Sequence, residues 1–188
     1  LQGNSIGATG AAELSKSTTW TKLQSLDLAK NSIGDRGATE LGKNTSWTNL
    51  QLLNLSDNEL SDEGATGLSK NTAWTNLQTL NLSESAIEEE GAAELSKNAA
   101  WSQLSTLNLS NNPIGDLGAI ALAKNRTWVN LQTLILAESE ISTSGFSALS
   151  NNVTWSNLRV LDLSNNDLGV EGADLIHKNS TWANLHTL

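Results

Sequence analysis

Few residues in the sequence are equipped for acid–base or metal chemistry. Histidine occurs only at His177 and His186, and cysteine is absent, which excludes disulfides, thiolate metal sites and cysteine nucleophiles. The two histidines fit no metal-ligand spacing, and no motif joins a nucleophile, a base and an oxyanion donor. We therefore expect no catalytic site, no metal and no cofactor, and we expect both histidines to face solvent.

The charge composition limits the kinds of partner. The chain carries 20 acidic and 11 basic side chains, a formal net charge of −9, whereas nucleic acids and anionic membranes attract clusters of Lys and Arg. No apolar stretch reaches the length of a membrane span, and residues 1–10 show no signal-peptide pattern. We expect no nucleic acid, no membrane and no small-molecule substrate. The lack of Cys favours the cytoplasm, and a bacterial secreted effector or surface protein is the alternative.

Seven tryptophans recur every 27 residues and set the period of the whole chain. A row of aromatic rings could stack on sugars, but a row at one fixed position of a repeat usually fills a core. We therefore expect the indoles to pack in a seam between helices and a sheet. The seven are Trp20, Trp47, Trp74, Trp101, Trp128, Trp155 and Trp182.

Within each unit the hydrophobic period changes from that of a strand to that of a helix. Residues 26–28 alternate as a short strand does, and Asn31 follows at a turn. Over residues 35–43 the spacing is helical, with acids at the positive end of the helix dipole and lysine at its negative end. Asn44 and its equivalents predict a left-handed C-terminal cap. A single glycine early in each helix, such as Gly37, predicts close helix packing rather than a phosphate-binding loop.

Units of this kind must stack, because none can bury its apolar face alone. We expect one domain over residues 1–188, made of a partial unit (1–19), six full units (20–181) and a partial unit (182–188). Seven strands at a spacing of about 4.8 Å would give a parallel sheet about 30 Å wide. The wider helix layer should curve it, so the prediction is an α/β solenoid with a concave sheet and convex helices. Neither end shows a polar capping unit, which predicts a longer array.

The unit W-x-x-L-x-x-L-x-L-x-x-N-x-I-G-x-x-G-A-x-x-L-x-K-N resembles the ribonuclease-inhibitor-like class of leucine-rich repeats, over the whole chain. Related repeats occur in NOD-like receptors, in Ran GTPase-activating proteins and in bacterial effectors. The resemblance implies this solenoid fold and a binding function, although the fold hosts many unrelated partners. The unit is shorter than is usual in that class, Trp stands where Leu is more common, and the lack of Cys differs from true ribonuclease inhibitors.

The outward-facing strand positions carry the first candidate site residues. Three successive strands have Asn there, and we expect these amides to form a hydrogen-bonded ladder across the sheet. Ile135 breaks that row, and Leu52 and Val160 break a neighbouring row of Ser and Thr. Ile135 and Val160 lie on adjacent strands, one diagonal step apart. An apolar pair on a polar sheet is a candidate interface anchor, although drift at tolerant positions explains it equally well. The row reads Asp27, Asn54, Asn81, Asn108, Ile135 and Asp162.

An acidic edge follows the strands. A solvated rim is the common interpretation of such charge, and a partner with a basic surface, attracted at long range, is the functional one. The turn asparagine between these acids is replaced by Ser85 and Ser139, which should loosen both turns. Together with Asp162 on the strand row, the candidate acids are Asp57, Glu59, Glu84, Glu138, Glu140 and Asp167.

Three functions are compatible with these patterns. The first is a protein-interaction scaffold that binds through its concave face and acidic edge, without enzymatic activity. The second is a GTPase-activating or other catalytic regulator that resembles the Ran GTPase-activating proteins, which need a specific polar constellation at one edge. The arginines available to stabilise charge are Arg36, Arg126 and Arg159, and none lies in a recognisable motif. The third is a structural spacer that binds nothing.

Overall fold

Each 27-residue unit folds as strand, turn, helix and return in the computed structural model, which describes all 188 residues. The strands are β1 Ser25–Asp27, β2 Leu52–Asn54, β3 Thr79–Asn81, β4 Thr106–Asn108, β5 Thr133–Ile135 and β6 Val160–Asp162. The helices are α1 Gly7–Ser15, α2 Gly34–Gly42, α3 Asp62–Ser69, α4 Glu89–Ser96, α5 Gly115–Ala123, α6 Thr143–Ser150 and α7 Gly169–Lys178.

The strands form one parallel sheet in chain order, and each residue pairs with its equivalent one unit later, as Leu53 does with Leu80. The sheet has six strands, so the expectation of seven is wrong. Thr187 makes only a single bridge to Val160, and one residue after it is too few to extend a ladder. Packed helices lie about 8–10 Å apart and strands about 4.8 Å apart, so the sheet is the concave layer of an α/β solenoid.

One continuous core of 40 buried residues runs between sheet and helices. It contains the middle leucine of every strand and the helix residues that face inward, such as Ala38 and Leu41. Trp47 and its equivalents up to Trp155 have no exposed surface, which confirms the seam. Trp20 is 41% exposed and stacks on Trp47 with ring centroids 6.3 Å apart. The N–H groups of the six indoles from Trp47 onward have no hydrogen-bond partner, so these side chains contribute by apolar burial.

An aspartate at the start of one helix caps the next helix along the solenoid. Asp116 Oδ1 accepts hydrogen bonds from the N–H groups of Ser142 (2.8 Å) and Gly145 (2.9 Å), and Ser142 Oγ donates to Asp116 Oδ2 (2.6 Å). Asp35 does the same for α3. A Cβ on Gly145 would lie 2.5 Å from Asp116 Oδ1, so glycine permits the close packing that the sequence predicts.

These contacts set the charge state of Asp116. Burial raises the pKa of this carboxyl, but the hydrogen bonds from Ser142 Oγ, Ser142 N–H and Gly145 N–H outweigh burial and hold the pKa below its ordinary value. The ionised carboxylate is therefore the form that caps α6.

The prediction of left-handed asparagine caps is wrong. Lys43 ends α2 with φ −82°, and Asn44 instead connects two units. Its Nδ2 donates to the carbonyl oxygens of Ser15 (2.6 Å) and Ser17 (3.1 Å), and its Oδ1 accepts from the N–H of Trp47 (3.0 Å). A side-chain amide can donate and accept at once, so it satisfies backbone groups on both sides of the unit boundary.

Candidate protein-binding face

The floor of the concave face is formed by the first and third residue of each strand. The three asparagines of this floor form no ladder across the strands, so that prediction is wrong. Each amide oxygen accepts from the N–H two residues later, as Asn108 Oδ1 does from Ser110 N–H (2.9 Å). The strand ends there, which leaves that N–H without a sheet partner, and the local acceptor is nearer than the next amide. Asn54, Asn81, Asp27 and Asp162 make the same bond.

Ile135 cannot make this bond, and the N–H of Ala137 has no partner. In the sheet register Ile135 pairs with Asp162, and Thr133 pairs with Val160. Ile135 and Val160 therefore lie one diagonal step apart on adjacent strands, as expected from the sequence, and both are half-buried. The result is an apolar pair on a floor whose other residues are polar except Leu52 at β2.

A second, buried row of asparagines positions the turns beyond the strands. Asn58 Oδ1 accepts from the N–H groups of Asn31 (3.0 Å) and Ile33 (3.2 Å), and its Nδ2 donates to the oxygens of Leu28 and Leu55. This bonding joins successive turns into one layer. Asn112 and Asn166 occupy equivalent places.

The two serines in this row make fewer bonds, in line with their shorter side chains. Ser85 Oγ is buried without a partner, and no side chain replaces the acceptor for the N–H groups of Asn58 and Leu60. Ser139 Oγ reaches two carbonyl oxygens at 3.2 and 3.5 Å only. Both turns are therefore tied less firmly to the preceding unit.

Most residues on either side of the buried row adopt left-handed backbone conformations; Ala86, Pro113 and Asp167 do not. For a side chain other than Gly or Asn this conformation costs roughly 1–2 kcal/mol. Asn111 and Asn165 suit it, whereas candidate acids occupy it elsewhere. Those acids are Asp57, Glu59, Glu84, Glu138 and Glu140, with φ between 52° and 59°.

The structure brings six of the nine candidate residues together at the units of β5 and β6. Glu138, Glu140 and Asp167 line one shallow depression with Asn165 and Asn166. The Nδ2 of Asn165 donates to Glu138 Oε1 (3.2 Å). The apolar pair and Asp162 lie on the floor beside it. The six are Ile135, Glu138, Glu140, Val160, Asp162 and Asp167.

The other three candidates lie in the units of β2 and β3. Asp57 pairs with Lys30, with Nζ and Oδ2 3.6 Å apart, so its charge is partly compensated. Glu59 Oε1 accepts from Ser32 Oγ (3.1 Å), and Glu84 is exposed. These acids are separated from the apolar pair by the strands between β2 and β5.

The unit at residues 128–154 departs from its neighbours in the helix as well. Phe146 stands where the other full units have alanine, is fully buried, and packs at a tilt of 50° against Trp182. This departure was not predicted from the sequence, although Phe146 is the only phenylalanine in the chain and could have indicated an irregular unit. Strand, turn and helix of one unit thus all depart from the repeat.

The histidines and the remaining carboxylates form no metal-binding cluster. Both histidines are exposed, as expected. No group of three His, Cys, Asp or Glu side chains is arranged to hold a metal ion. No helix combines the length and the apolar character that a bilayer span requires.

A family model described as Leucine Rich repeat matches five segments, which together make up more than half of the chain. The unit at 128–154 lies between the last two of them and is unmatched. No curated protein sequence matches the chain. The matched segments are residues 21–42, 48–69, 75–96, 103–123 and 156–176.

Among solved structures, the chain is similar to an internalin (inlF) from Listeria monocytogenes str. 4b F2365. The identity is 24%, the TM-score 0.49, and the match covers 96% of this chain and 56% of that one. A TDR receptor matches at 17% identity and a TM-score of 0.54, over 98% of this chain and 33% of the receptor chain. The chain thus spans about half or less of these proteins, and the second likeness shows the fold alone.

Proposed function

The chain belongs to the leucine-rich repeat family, and from that premise we propose that it is a protein-binding scaffold without catalytic activity. Its partner presents a basic surface to the concave face at β5 and β6. One observation carries the proposal: the unit at 128–154 has Ile135 where an Asn or Asp would bond the backbone, and Ser139 where an Asn would join the turns. This unit gives up stabilising bonds and gains an accessible apolar side chain.

The apolar pair supplies affinity in this proposal. Ile135 and Val160 are partly accessible and are the only two apolar side chains of the floor on adjacent strands, since Leu52 lies alone at β2. Interface energy concentrates in a few apolar or aromatic contacts that become dry on binding. A polar ring around them completes the arrangement that binding interfaces commonly show. Loss of these two side chains should therefore speed dissociation.

The acids supply attraction. Glu138, Glu140 and Asp167 surround the depression beside the apolar pair, and Asp162 lies on the floor with one oxygen already bonded to Ser164. Exposed charges steer a partner over a Debye length of about 8 Å at physiological salt, and rim charges change association more than dissociation. Asp57, Glu59 and Glu84 would add to the long-range field without touching the same part of the partner.

The repeat subclass is part of the proposal. Every unit from β1 onward places an α-helix of eight to ten residues on its outer side, which supports the ribonuclease-inhibitor-like class. Arg36, Arg126 and Arg159 lie in separate units, which supports binding rather than GTPase activation.

Surface plasmon resonance at two salt concentrations, on a partner recovered by pull-down, tests the proposal. Glu138→Gln with Glu140→Gln should slow association and flatten its salt dependence. Ile135→Ser with Val160→Ser should speed dissociation. Leu52→Thr, on the same face at β2, is the matched control and should change neither rate. If neither pair of substitutions changes binding, this face is not the binding site. The chain would then bind through another surface or act as a structural spacer.

A further inference from the structure

A groove lies between the C-terminal ends of successive helices, on the edge of the solenoid opposite the strand-end turns. Between α4 and α5 it encloses about 450 Å³ and is lined by Lys97, Lys124 and Arg126 among other residues. Between α2 and α3 the same groove is lined by Lys43, Lys70 and Thr72. The same groove recurs between α6 and α7, where Lys178 is the only cation. The repeat therefore provides at least three versions of one site, and only the α4–α5 version has three cations.

Two of the three cations in the α4–α5 groove form no ion pair. Lys97 Nζ bonds Glu94 Oε1, but the position three residues before Lys124 is Ala121, so Lys124 cannot form the ion pair that Lys97 makes. Arg126 likewise contacts no carboxylate. Acids outnumber bases by 20 to 11 in this chain, so two adjacent unpaired cations are a local reversal of its charge.

Arg126 is held in place by the helix end. Its Nη1 donates to the carbonyl oxygens of Ala123 (2.9 Å) and Asn125 (3.1 Å), while Nε and Nη2 make no hydrogen bond within the protein. Part of the guanidinium is therefore fixed and part remains free to donate. Arginine occurs at this position in one unit only; the others have Thr18, Thr45, Thr72, Ala99, Val153 and Ser180.

We propose that the α4–α5 groove binds a phosphate group. A fixed guanidinium beside an ammonium group offers the paired, charged donors that phosphate oxygens accept. The carbonyl ends of α4 and α5 carry partial negative charge that opposes an anion, which explains why a groove with a single unpaired lysine does not suffice. Exposed charge pairs are individually weak, so two or three of them should give a dissociation constant of roughly tens of millimolar. This site is independent of the concave face.

The test is an amide and arginine side-chain NMR titration with inorganic phosphate, at constant ionic strength against chloride. Shifts should concentrate at Asn125, Arg126 and Thr127 and approach saturation only above roughly tens of millimolar phosphate. Arg126→Thr copies the α2–α3 groove and should weaken binding at least fivefold, whereas Thr72→Arg should create the same response around Lys70. Equal shifts at both grooves of the unaltered protein, or a response that survives Arg126→Thr or fails to arise in Thr72→Arg, would overturn the proposal.

A second titration identifies the source of the phosphate. A short phosphoserine peptide that binds tighter than inorganic phosphate, in an Arg126-dependent manner, would support a phosphorylated protein segment as the ligand. Equal affinity would support the phosphate group alone. An unphosphorylated peptide that produces the same shifts would contradict phosphate recognition.

Discussion

The units at residues 47–73 and 128–154 have the same backbone plan and differ mainly on the concave side. Both have a fully buried Trp, and in both an aspartate of the preceding unit caps the helix through a serine. The first unit uses Asn54 and Asn58 to bond its turn, whereas the second has Ile135 and Ser139 at those positions. The buried Trp and the helix caps are thus kept where the concave side loses bonds, whereas the buried Ala65 of the first unit is replaced by Phe146 in the second.

This difference separates what maintains the solenoid from what is available for binding. A position that held only the fold together would favour asparagine, whose side-chain oxygen accepts from the backbone N–H two residues later. Ile135 leaves one such group without a partner and remains accessible. We interpret the unit at 128–154 as the place where function has replaced part of the stabilising pattern.

Removal of a buried Trp should cause the largest loss of stability, and this loss should be the same in regular and irregular units. Trp101→Ala and Trp128→Ala should each destabilise by about 3–5 kcal/mol, the range for removing a large buried aromatic side chain. Asp57→Asn is the exposed control and should stay within about 0.5 kcal/mol. Urea denaturation measures all three, and a small loss for Trp128→Ala alone would break the claim of a shared core.

Exchanging Asn and Ser in the buried row should change the stability of the two units in opposite directions. Asn58→Ser removes the acceptor for two N–H groups and should destabilise by about 1–3 kcal/mol. Ser139→Asn should restore the bonds missing at the irregular unit and stabilise by about 1 kcal/mol. Thermal unfolding shows whether each variant is more or less stable than the wild type. A destabilising Ser139→Asn would show that this turn has no room for the amide.

The inter-unit cap at Asp116 should respond to pH. Asp116→Ala should destabilise by about 1–2 kcal/mol at pH 7, as the loss of a helix cap does. The folded-state pKa of Asp116 is lowered, so its contribution is present above the unfolded-state pKa of about 3.9 and disappears as pH falls through the folded-state value. The difference between the two proteins should therefore shrink below pH 4 in urea titrations. A difference that is constant down to pH 2 would contradict the cap.

The sequence predicts the parts of the structure that depend on the repeat alone. The 27-residue spacing of Trp and Leu gives the buried seam and the parallel register, because identical units can only stack in step. It does not predict the partners of polar side chains. Asn44 forms hydrogen bonds with the backbone of two units, whereas Asn54 bonds the backbone of its own turn. Which of these occurs depends on distances between chain segments, and the spacing of residues in the sequence does not contain those distances.

The candidate site is predictable to a similar extent. The diagonal pair Ile135 and Val160 follows from strand alternation and register, which the sequence contains. The pairing of Asp57 with Lys30 requires the distance between two turns. The capping of α6 by Asp116 likewise spans a unit boundary, and the single-unit interpretation assigned such acids to the dipole of their own helix only.

The most direct test of the account is Ile135→Asn, measured for stability and binding together. The substitution supplies the missing acceptor for Ala137 N–H, and the expected gain is about 0.5–1 kcal/mol. Quantitative pull-downs with wild type, Ile135→Asn and Leu52→Thr as baits give the binding half of the measurement. If Ile135 contacts the partner, the wild-type and Leu52→Thr baits should retain proteins that the Ile135→Asn bait does not. The Ile135→Asn variant should nevertheless unfold at a urea concentration equal to or higher than that of the wild type. The same proteins retained by all three baits would contradict the account.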